Sequence, residues 1–333
     1  MWLLLAVVMM INWKGFESEP IAAAKPFIKA CLDPNIQYVG AFCGIQSAKT
    51  LSGCDATYAN LYGPNPLMLP DHMRSKVPME VWFVSKSYQL CETQLETFRW
   101  RTPPDIWATE KEVRGWGLQK GDRYTHWLRP RLNCPDQAPI RLRLRTAKDP
   151  EALRAKNTLT LVHGDECAYW PEVSFKNLFG RAIVARTKFI FTTSPHGKDY
   201  VYRSIALPGG WPGGSGLDPK VAAFGWSSAD NPYADKAHLE RLRKILGKEY
   251  AKQELDGLFT DAIGYVYGMF DRTIHMRPIP SEDPKDYDLI IGGVDPGMRD
   301  AYAAGVWGRM DKVWYQLWEL HTTGQSSARL APT

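Results

Sequence analysis

Short, near-continuous apolar runs separated by helical patterns constrain the fold of this chain more than any other feature. Strands that are covered on both faces have this composition, because neither side of their sheet contacts water. Helical patterns lie between the runs, as in residues 171–185 and 235–255. The alternation predicts an α/β fold with a central, mainly parallel sheet. The predicted strands are residues 36–42, 79–85, 158–164, 187–193 and 288–295.

The composition is typical of a globular protein. Of the 333 residues, 44% are hydrophobic and 23% are charged, and the net charge is +5. A weakly basic chain is compatible with a polyanionic partner but does not by itself indicate one. The 6 cysteines contain no CxxC pair, so we expect reduced thiols rather than a zinc site or a disulfide framework.

The chain starts with the apolar run MWLLLAVVMMI. A membrane-spanning helix needs about 20 apolar residues, so this run is too short to span a bilayer. Basic residues before the run and a small-residue cleavage site after it, which a signal peptide would have, are not clear. We interpret residues 1–24 as an irregular apolar segment or a buried helix, with secretion as the alternative, and expect no membrane partner.

An incomplete phosphate-binding signature follows the first predicted strand. The stretch CGIQSAKT, residues 43–50, contains the lysine and threonine of the motif, but Cys43 and Ala48 replace its glycines. Lysine binds the β- and γ-phosphates in such a loop, and the hydroxyl that follows it binds Mg²⁺. The pattern predicts an ATP site, with a chance Lys-Thr pair as the alternative. The candidate binding residues are Gly44, Ile45, Gln46, Ser47, Ala48, Lys49 and Thr50.

Two further motifs occur at predicted strand ends. TLTLVHGDE ends in Asp165 and Glu166; the first carboxylate of such a pair binds Mg²⁺, and the second orients the attacking water. A solvated acidic pair is the alternative. FIFTTSPHG carries Thr192 and Thr193 at the end of another strand. This position suits a residue that senses the γ-phosphate, and an ordinary strand exit is the alternative.

In this order, GIQSAKT, LVHGDE and TTSPHGKDYVY resemble the large terminase subunit of tailed bacteriophages. The resemblance makes Ala48 a tolerated variant of the loop and leaves Cys43 as its larger departure. Residues 231–270 are similar to the segment that closes the ATPase domain of that family, and GGVDPGMRDAYAAGVWG (292–308) resembles the first hairpin of its RNase H-like nuclease domain. The resemblance implies a helicase-like P-loop ATPase domain over residues 25–276, a linker at 277–288 and a partial nuclease domain at 289–333.

The resemblance also implies roles for individual residues. Asp165 would bind Mg²⁺ with Thr50, and Glu166 would be the catalytic base. Thr193, or Thr192 in its place, would couple hydrolysis to movement, and Arg154 matches the arginine that a neighbouring subunit supplies. Asp295 matches the first metal-binding carboxylate of the nuclease, which uses Mg²⁺ or Mn²⁺. We expect DNA cleavage only from a form that also carries the later acids of that site.

The function implied by the resemblance is ATP-driven translocation of double-stranded viral DNA into a procapsid. The expected partners are double-stranded DNA, identical subunits in a ring, the portal protein and the small terminase subunit. The expected location is the host cytoplasm and, transiently, the procapsid portal, without stable incorporation into the virion. The alternatives are a non-hydrolysing remnant that acts as a DNA- or partner-binding scaffold, and another helicase-like P-loop ATPase.

Three arginines alternate in the stretch RLRLR. Arg141, Arg143 and Arg145 fall on one face of a predicted strand because side chains alternate with a period of two. Such a face either contacts DNA or is solvated, and we predict the solvated face.

Overall fold

The computed structural model describes residues 19–63, 66–67, 76–130, 138–154, 159–180, 187–214, 216–260, 276, 278–296 and 302–322. The chain divides into two compact units, Met1–Tyr265 and Val266–Thr333. The domain bounds given above, including the linker, stay predictions. The apolar run at the start of the chain lies outside the described residues. Among the helices described, none combines the length and apolar character that crossing a bilayer would require.

The first unit contains a seven-stranded sheet with the order β3-β4-β2-β5-β6-β1-β7. Only the edge pair β3 and β4 is antiparallel, and every other neighbouring pair is parallel. The α/β fold with a mainly parallel sheet is therefore confirmed. The strands are Tyr38–Phe42 (β1), Met79–Ser85 (β2), Thr125–Leu128 (β3), Ile140–Thr146 (β4), Leu159–Asp165 (β5), Lys188–Thr193 (β6) and Val221–Phe224 (β7).

The central strands β2, β5 and β6 are buried on both faces because alternate side chains pack into two different apolar clusters. Phe83 of β2 belongs to one cluster, and its neighbour Trp82 belongs to the other. This explains why the strands have continuous apolar runs rather than a strict alternation. The α-helices are Lys25–Leu32 (α1), Lys49–Tyr62 (α2), Tyr88–Arg101 (α3), Glu110–Gly115 (α4), Glu172–Phe179 (α5) and Lys236–Glu254 (α6).

The strand order brings three motifs to one edge of the sheet. Strands β5, β6 and β1 are consecutive neighbours and run in the same direction. Their carboxyl ends carry the acidic pair, the two threonines and the 43–50 loop. Because the carboxyl ends of parallel strands face the same side of a sheet, these motifs form one group.

The arginine face of β4 is not solvated, so this prediction is wrong. The side chains of Arg141 and Arg143 are only 20% and 21% exposed, and both pair with the fully buried carboxylate of Glu80. Trp82 Nε1 also donates to Glu80, at 2.8 Å, and Arg145 lies over the Trp82 ring. The sequence could not reveal this arrangement, because a carboxylate from a neighbouring strand draws the arginines into the protein.

The second unit contains a three-stranded antiparallel sheet in the order β10-β9-β8. Asp295 lies in the second-to-last position of β8, opposite Ala303 of β9, as the prediction of a strand-end carboxylate required. The strands are Leu289–Pro296 (β8), Tyr302–Met310 (β9) and Val313–Thr322 (β10).

Candidate nucleotide-binding site

The 43–50 loop turns tightly between β1 and the start of α2. Gln46 and Ala48 adopt left-handed backbone conformations, with φ of 54° and 64°. Ala48 is the residue before α2, and no side chain caps this helix. The first backbone N–H groups of a helix lack intrahelical acceptors, so they form a natural site for a phosphate.

Side chains from the segment after β7 hold the carbonyl groups of this loop. Trp226 Nε1 donates to Ser47 O at 2.8 Å, and Asn231 Nδ2 donates to Gln46 O at 2.7 Å. Ser228 Oγ donates to Ile45 O at 2.5 Å. Sequence reasoning missed these roles, although Asn231 begins the stretch that resembles the end of an ATPase domain. With its carbonyl groups held, the loop keeps one conformation without the usual glycines.

The two missing glycines are not equivalent. Cys43 is fully buried and its φ is not positive, so this position tolerates a side chain. Gly44 is the position that must lack one, because a Cβ there would lie 2.2 Å from Leu255 O. Burial raises the pKa of the Cys43 thiol, which keeps it protonated. The first substitution therefore costs the loop little, whereas Ala48 adopts a conformation that favours glycine.

We expect Ala48→Gly to stabilise the protein. A non-glycine residue in the left-handed region costs about 1 kcal/mol, and the gain will be reduced by the greater freedom of glycine in the unfolded chain. The free energy of unfolding in urea should therefore rise by roughly 0.5–1 kcal/mol. The matched control is Ala237→Gly, on the exposed helix α6, where the same change should be destabilising. A loss of stability in Ala48→Gly would contradict the inferred strain.

The basic and acidic motifs contact one another directly. Lys49 Nζ lies 3.1 Å from Glu166 Oε1, and the lysine side chain is only 8% exposed. Thr50 Oγ1 donates to both carboxylate oxygens of Asp165, at 3.1 Å each. Residues 115 positions apart in the chain thus form one polar cluster, as the two motifs predicted. A chance Lys-Thr pair in a loop would not produce these contacts.

The two threonines at the end of β6 contact different carboxylates. Thr192 Oγ1 donates to Asp165 Oδ1 at 2.6 Å, whereas Thr193 Oγ1 donates to Glu166 Oε2 at 3.3 Å. The backbone N–H of Ser194 also approaches Glu166 Oε2, at 3.4 Å. Glu166 itself has a left-handed φ of 52°. Thr193 therefore contacts the proposed base, in agreement with the choice of this residue, but its coupling role stays a prediction.

The carboxylate of Asp165 is protected from water. Burial and the neighbouring charge of Glu166 raise its pKa above the ordinary value, while the hydrogen bonds of Thr192 and Thr50 and the charge of Lys49 act in the opposite direction. The ionised form of a buried carboxylate is stabilised when a cation binds beside it, because the cation compensates for the lost hydration.

Two predicted residues lie outside this cluster. The side chain of Arg154 is 54% exposed and pairs with Glu151 at 3.3 Å. Asp295 belongs to the second unit. In the part of the chain that the structure describes, no group of three His, Cys, Asp or Glu side chains could hold a metal ion. The roles of Arg154 and of Asp295 stay predictions.

The cluster fits a nucleoside triphosphate with a divalent cation. Lys49 and the start of α2 supply positive charge and N–H donors for phosphate oxygens. The buried Ser47 hydroxyl has no hydrogen-bond partner among the described residues, so it is another group that a ligand can satisfy. Thr50 and Asp165 supply the hard oxygen ligands that Mg²⁺ prefers.

The comparisons with known proteins give structures but no family model and no curated protein that matches. A large terminase from a thermophilic bacteriophage is 17% identical, with a TM-score of 0.49, over 96% of this chain and 67% of that one. The large terminase ATPase domain of Thermus phage P74-26 is 19% identical, with a TM-score of 0.45, over 66% and 87%. The UvsW helicase of bacteriophage T4 is 10% identical, with a TM-score of 0.37, over 62% and 60%. Large terminases are among the solved structures to which this chain is similar.

Proposed function

We propose that this chain is a Mg²⁺-dependent ATPase that drives the translocation of double-stranded DNA. The observation that carries the proposal is the contact of Lys49 and Thr50, at the start of α2, with Glu166 and Asp165, at the end of β5. An exposed acidic pair or a chance Lys-Thr sequence would have no reason to converge in this way.

The residues divide the chemistry between them. ATP supplies the γ-phosphoryl group, and Lys49 binds its phosphate oxygens. Thr50 and Asp165 would hold Mg²⁺, which would neutralise part of the negative charge of the phosphates. Glu166 orients the attacking water and accepts its proton.

Before nucleotide binds, the Glu166 carboxylate is occupied by its contacts with the Lys49 ammonium and the Thr193 hydroxyl. When Lys49 binds phosphate, Glu166 loses this partner and becomes available to the water. Occupation of the site and activation of the base are therefore linked through Lys49.

The translocation of viral DNA into a procapsid is the finer part of the proposal. It is supported by the order of the five motifs that resemble large terminases. We propose the same partners: double-stranded DNA, identical subunits in a ring, a portal protein and a small terminase subunit. Contact with DNA should be mainly with its phosphates, so binding should weaken strongly as the salt concentration rises. The action would take place in the host cytoplasm and at the portal.

The test is steady-state ATP hydrolysis by the purified protein, with and without double-stranded DNA. We expect turnover that DNA stimulates and that Lys49→Met abolishes, because methionine keeps the length of the side chain but not its charge. The matched control is Lys176→Met, an exposed lysine of α5, which should retain wild-type turnover. Nucleotide binding without turnover, at high protein concentration and with DNA, would favour the scaffold instead. Turnover that Lys49→Met retains would overturn the proposal.

A further inference from the structure

A fully buried histidine lies two residues before the proposed Mg²⁺-binding aspartate. His163 belongs to β5, opposite Ile190 of β6, in a run of otherwise apolar residues. Its imidazole ring packs edge-on against Phe83. Because side chains on a strand alternate, His163 and Asp165 face the same side of the sheet.

The histidine reaches the aspartate through a threonine. His163 Nε2 lies 3.2 Å from Thr192 Oγ1, and Thr192 Oγ1 lies 2.6 Å from Asp165 Oδ1. A hydroxyl has one hydrogen to donate, and that of Thr192 is directed to the carboxylate. Thr192 can then only accept from the ring, so Nε2 must carry the imidazole proton. The other ring nitrogen, Nδ1, is buried and has no hydrogen-bond partner among the described residues, as suits a nitrogen without a proton.

Helix α2, which follows the 43–50 loop, leaves room for this ring. A Cβ at Gly53 of α2 would lie only 2.3 Å from His163 Nε2. Glycine inside a helix is destabilising relative to alanine, so its use here needs a local reason, and the close approach of the ring is one. Gly53 lies three residues after Thr50 and therefore faces the same side of α2.

The backbone of the histidine is held as well. Gln94 Nε2 donates to His163 O at 3.1 Å, and Ser85 Oγ donates to Gln94 Oε1 at 3.3 Å. Both residues are buried. Gln94 of α3 therefore holds the histidine backbone, while the ring contacts Phe83 of β2 and Thr192 of β6.

We propose that His163 is a positioning residue for the metal-binding carboxylate, acting through Thr192. The proton on Nε2 directs the Thr192 hydroxyl to Asp165 Oδ1, so that Thr192 holds the orientation of the carboxylate. Thr50, which also donates to Asp165, would then be free to bind the cation without releasing the carboxylate. This inference rests on the proposed function, because it concerns the Mg²⁺ of the same site.

The test measures binding rather than turnover. The dissociation constant of ADP is determined by titration calorimetry with and without Mg²⁺. The constant without Mg²⁺ divided by the constant with Mg²⁺ is the ratio that reports the contribution of the cation. In His163→Leu, which has no donor, we expect this ratio to fall about tenfold or more, the usual effect of losing a group that orients a metal ligand. The dissociation constant without Mg²⁺ should stay unchanged, because neither His163 nor Thr192 is among the groups proposed to bind phosphate.

Matched variants separate positioning from a structural role. His163→Gln keeps an N–H donor near the position of Nε2 and should retain most of the ratio, whereas Thr192→Val should lose it and Thr192→Ser should keep it. The double variant His163→Leu with Thr192→Val should be no worse than either single change, since both interrupt one path. If His163→Leu does not fold, as judged by thermal unfolding, the threonine pair and His163→Gln give the same test.

Two results would overturn the inference. One is a folded His163→Leu or Thr192→Val protein whose ratio equals that of the wild type. The other is an equal loss in His163→Leu and His163→Gln, which would assign the effect to packing. If the wild-type protein binds no ADP under either condition, the proposed function fails and the inference fails with it. If Mg²⁺ strengthens ADP binding by the wild type and the variants show the same ratio, the inference is overturned but the proposed function is not.

Discussion

Glu166→Gln should reduce ATP turnover by about 10²–10⁴-fold, because a carboxamide cannot accept a proton from the attacking water. Glutamine has the same size as glutamate and can adopt the left-handed conformation at this position with similar strain. The contact with Lys49 would weaken, and the freed ammonium would be available to phosphate. We therefore expect nucleotide affinity that is equal to or higher than that of the wild type.

The measurement is steady-state hydrolysis together with nucleotide titration. The control is Glu172→Gln, an exposed glutamate of α5 that pairs with Lys176 and should leave turnover unchanged. Loss of turnover with retained binding would support Glu166 as the base. Equal turnover in Glu166→Gln and wild type would remove it from that role, and a parallel loss of binding would assign it to nucleotide contact instead.

Arg101→Met should destabilise the protein by about 3–5 kcal/mol, because it leaves a buried carboxylate without its partner. The guanidinium of Arg101 contacts Asp55 through two atoms, Nε at 2.7 Å and Nη2 at 2.9 Å, and the Asp55 side chain is fully buried. Burial raises the pKa of Asp55 above its ordinary value, although Arg101 acts to lower it. The ion pair joins α2, which carries Asp55, to α3, which carries Arg101.

Denaturant unfolding measures the effect, and two further variants interpret it. Arg123→Met removes the partner of Glu92 in an ion pair that is exposed to water, and its effect on stability should be small. Asp55→Leu combined with Arg101→Met should recover most of the stability, because an apolar pair can replace a buried ion pair. If Arg101→Met is as stable as the wild type, the buried Asp55 carboxylate does not depend on Arg101, and the stabilising role of this ion pair is wrong.

Most of the candidate site could be predicted from the sequence. The 43–50 loop after a strand, the acidic pair after another and the threonines after a third were all local patterns. Parallel strands place their carboxyl ends together, so three local motifs were enough to predict one site. The prediction extended to the choice of Thr193, which contacts Glu166, although its role is untested.

The two replaced glycines of the 43–50 loop show where local sequence patterns were insufficient. The resemblance to large terminases made Ala48 a tolerated variant of the loop and Cys43 the larger departure from the motif. The structure reverses this ranking, because Cys43 tolerates a side chain whereas Ala48 adopts a strained conformation. Gly44 has no room for a side chain because of Leu255 O, more than two hundred positions further along the chain, and no local pattern contains that information.

The sequence by itself determined the class of fold and the composition of the candidate site, since both depend on the order of residues along strands and on the ends of those strands. The tertiary structure alone decided what each polar group contacts. It paired Lys49 with Glu166, drew the β4 arginines onto the buried Glu80 and placed His163 beside Gly53 and Thr192. The physical reason is that periodicity tells which side of an element a residue faces, whereas its partner depends on how distant elements pack.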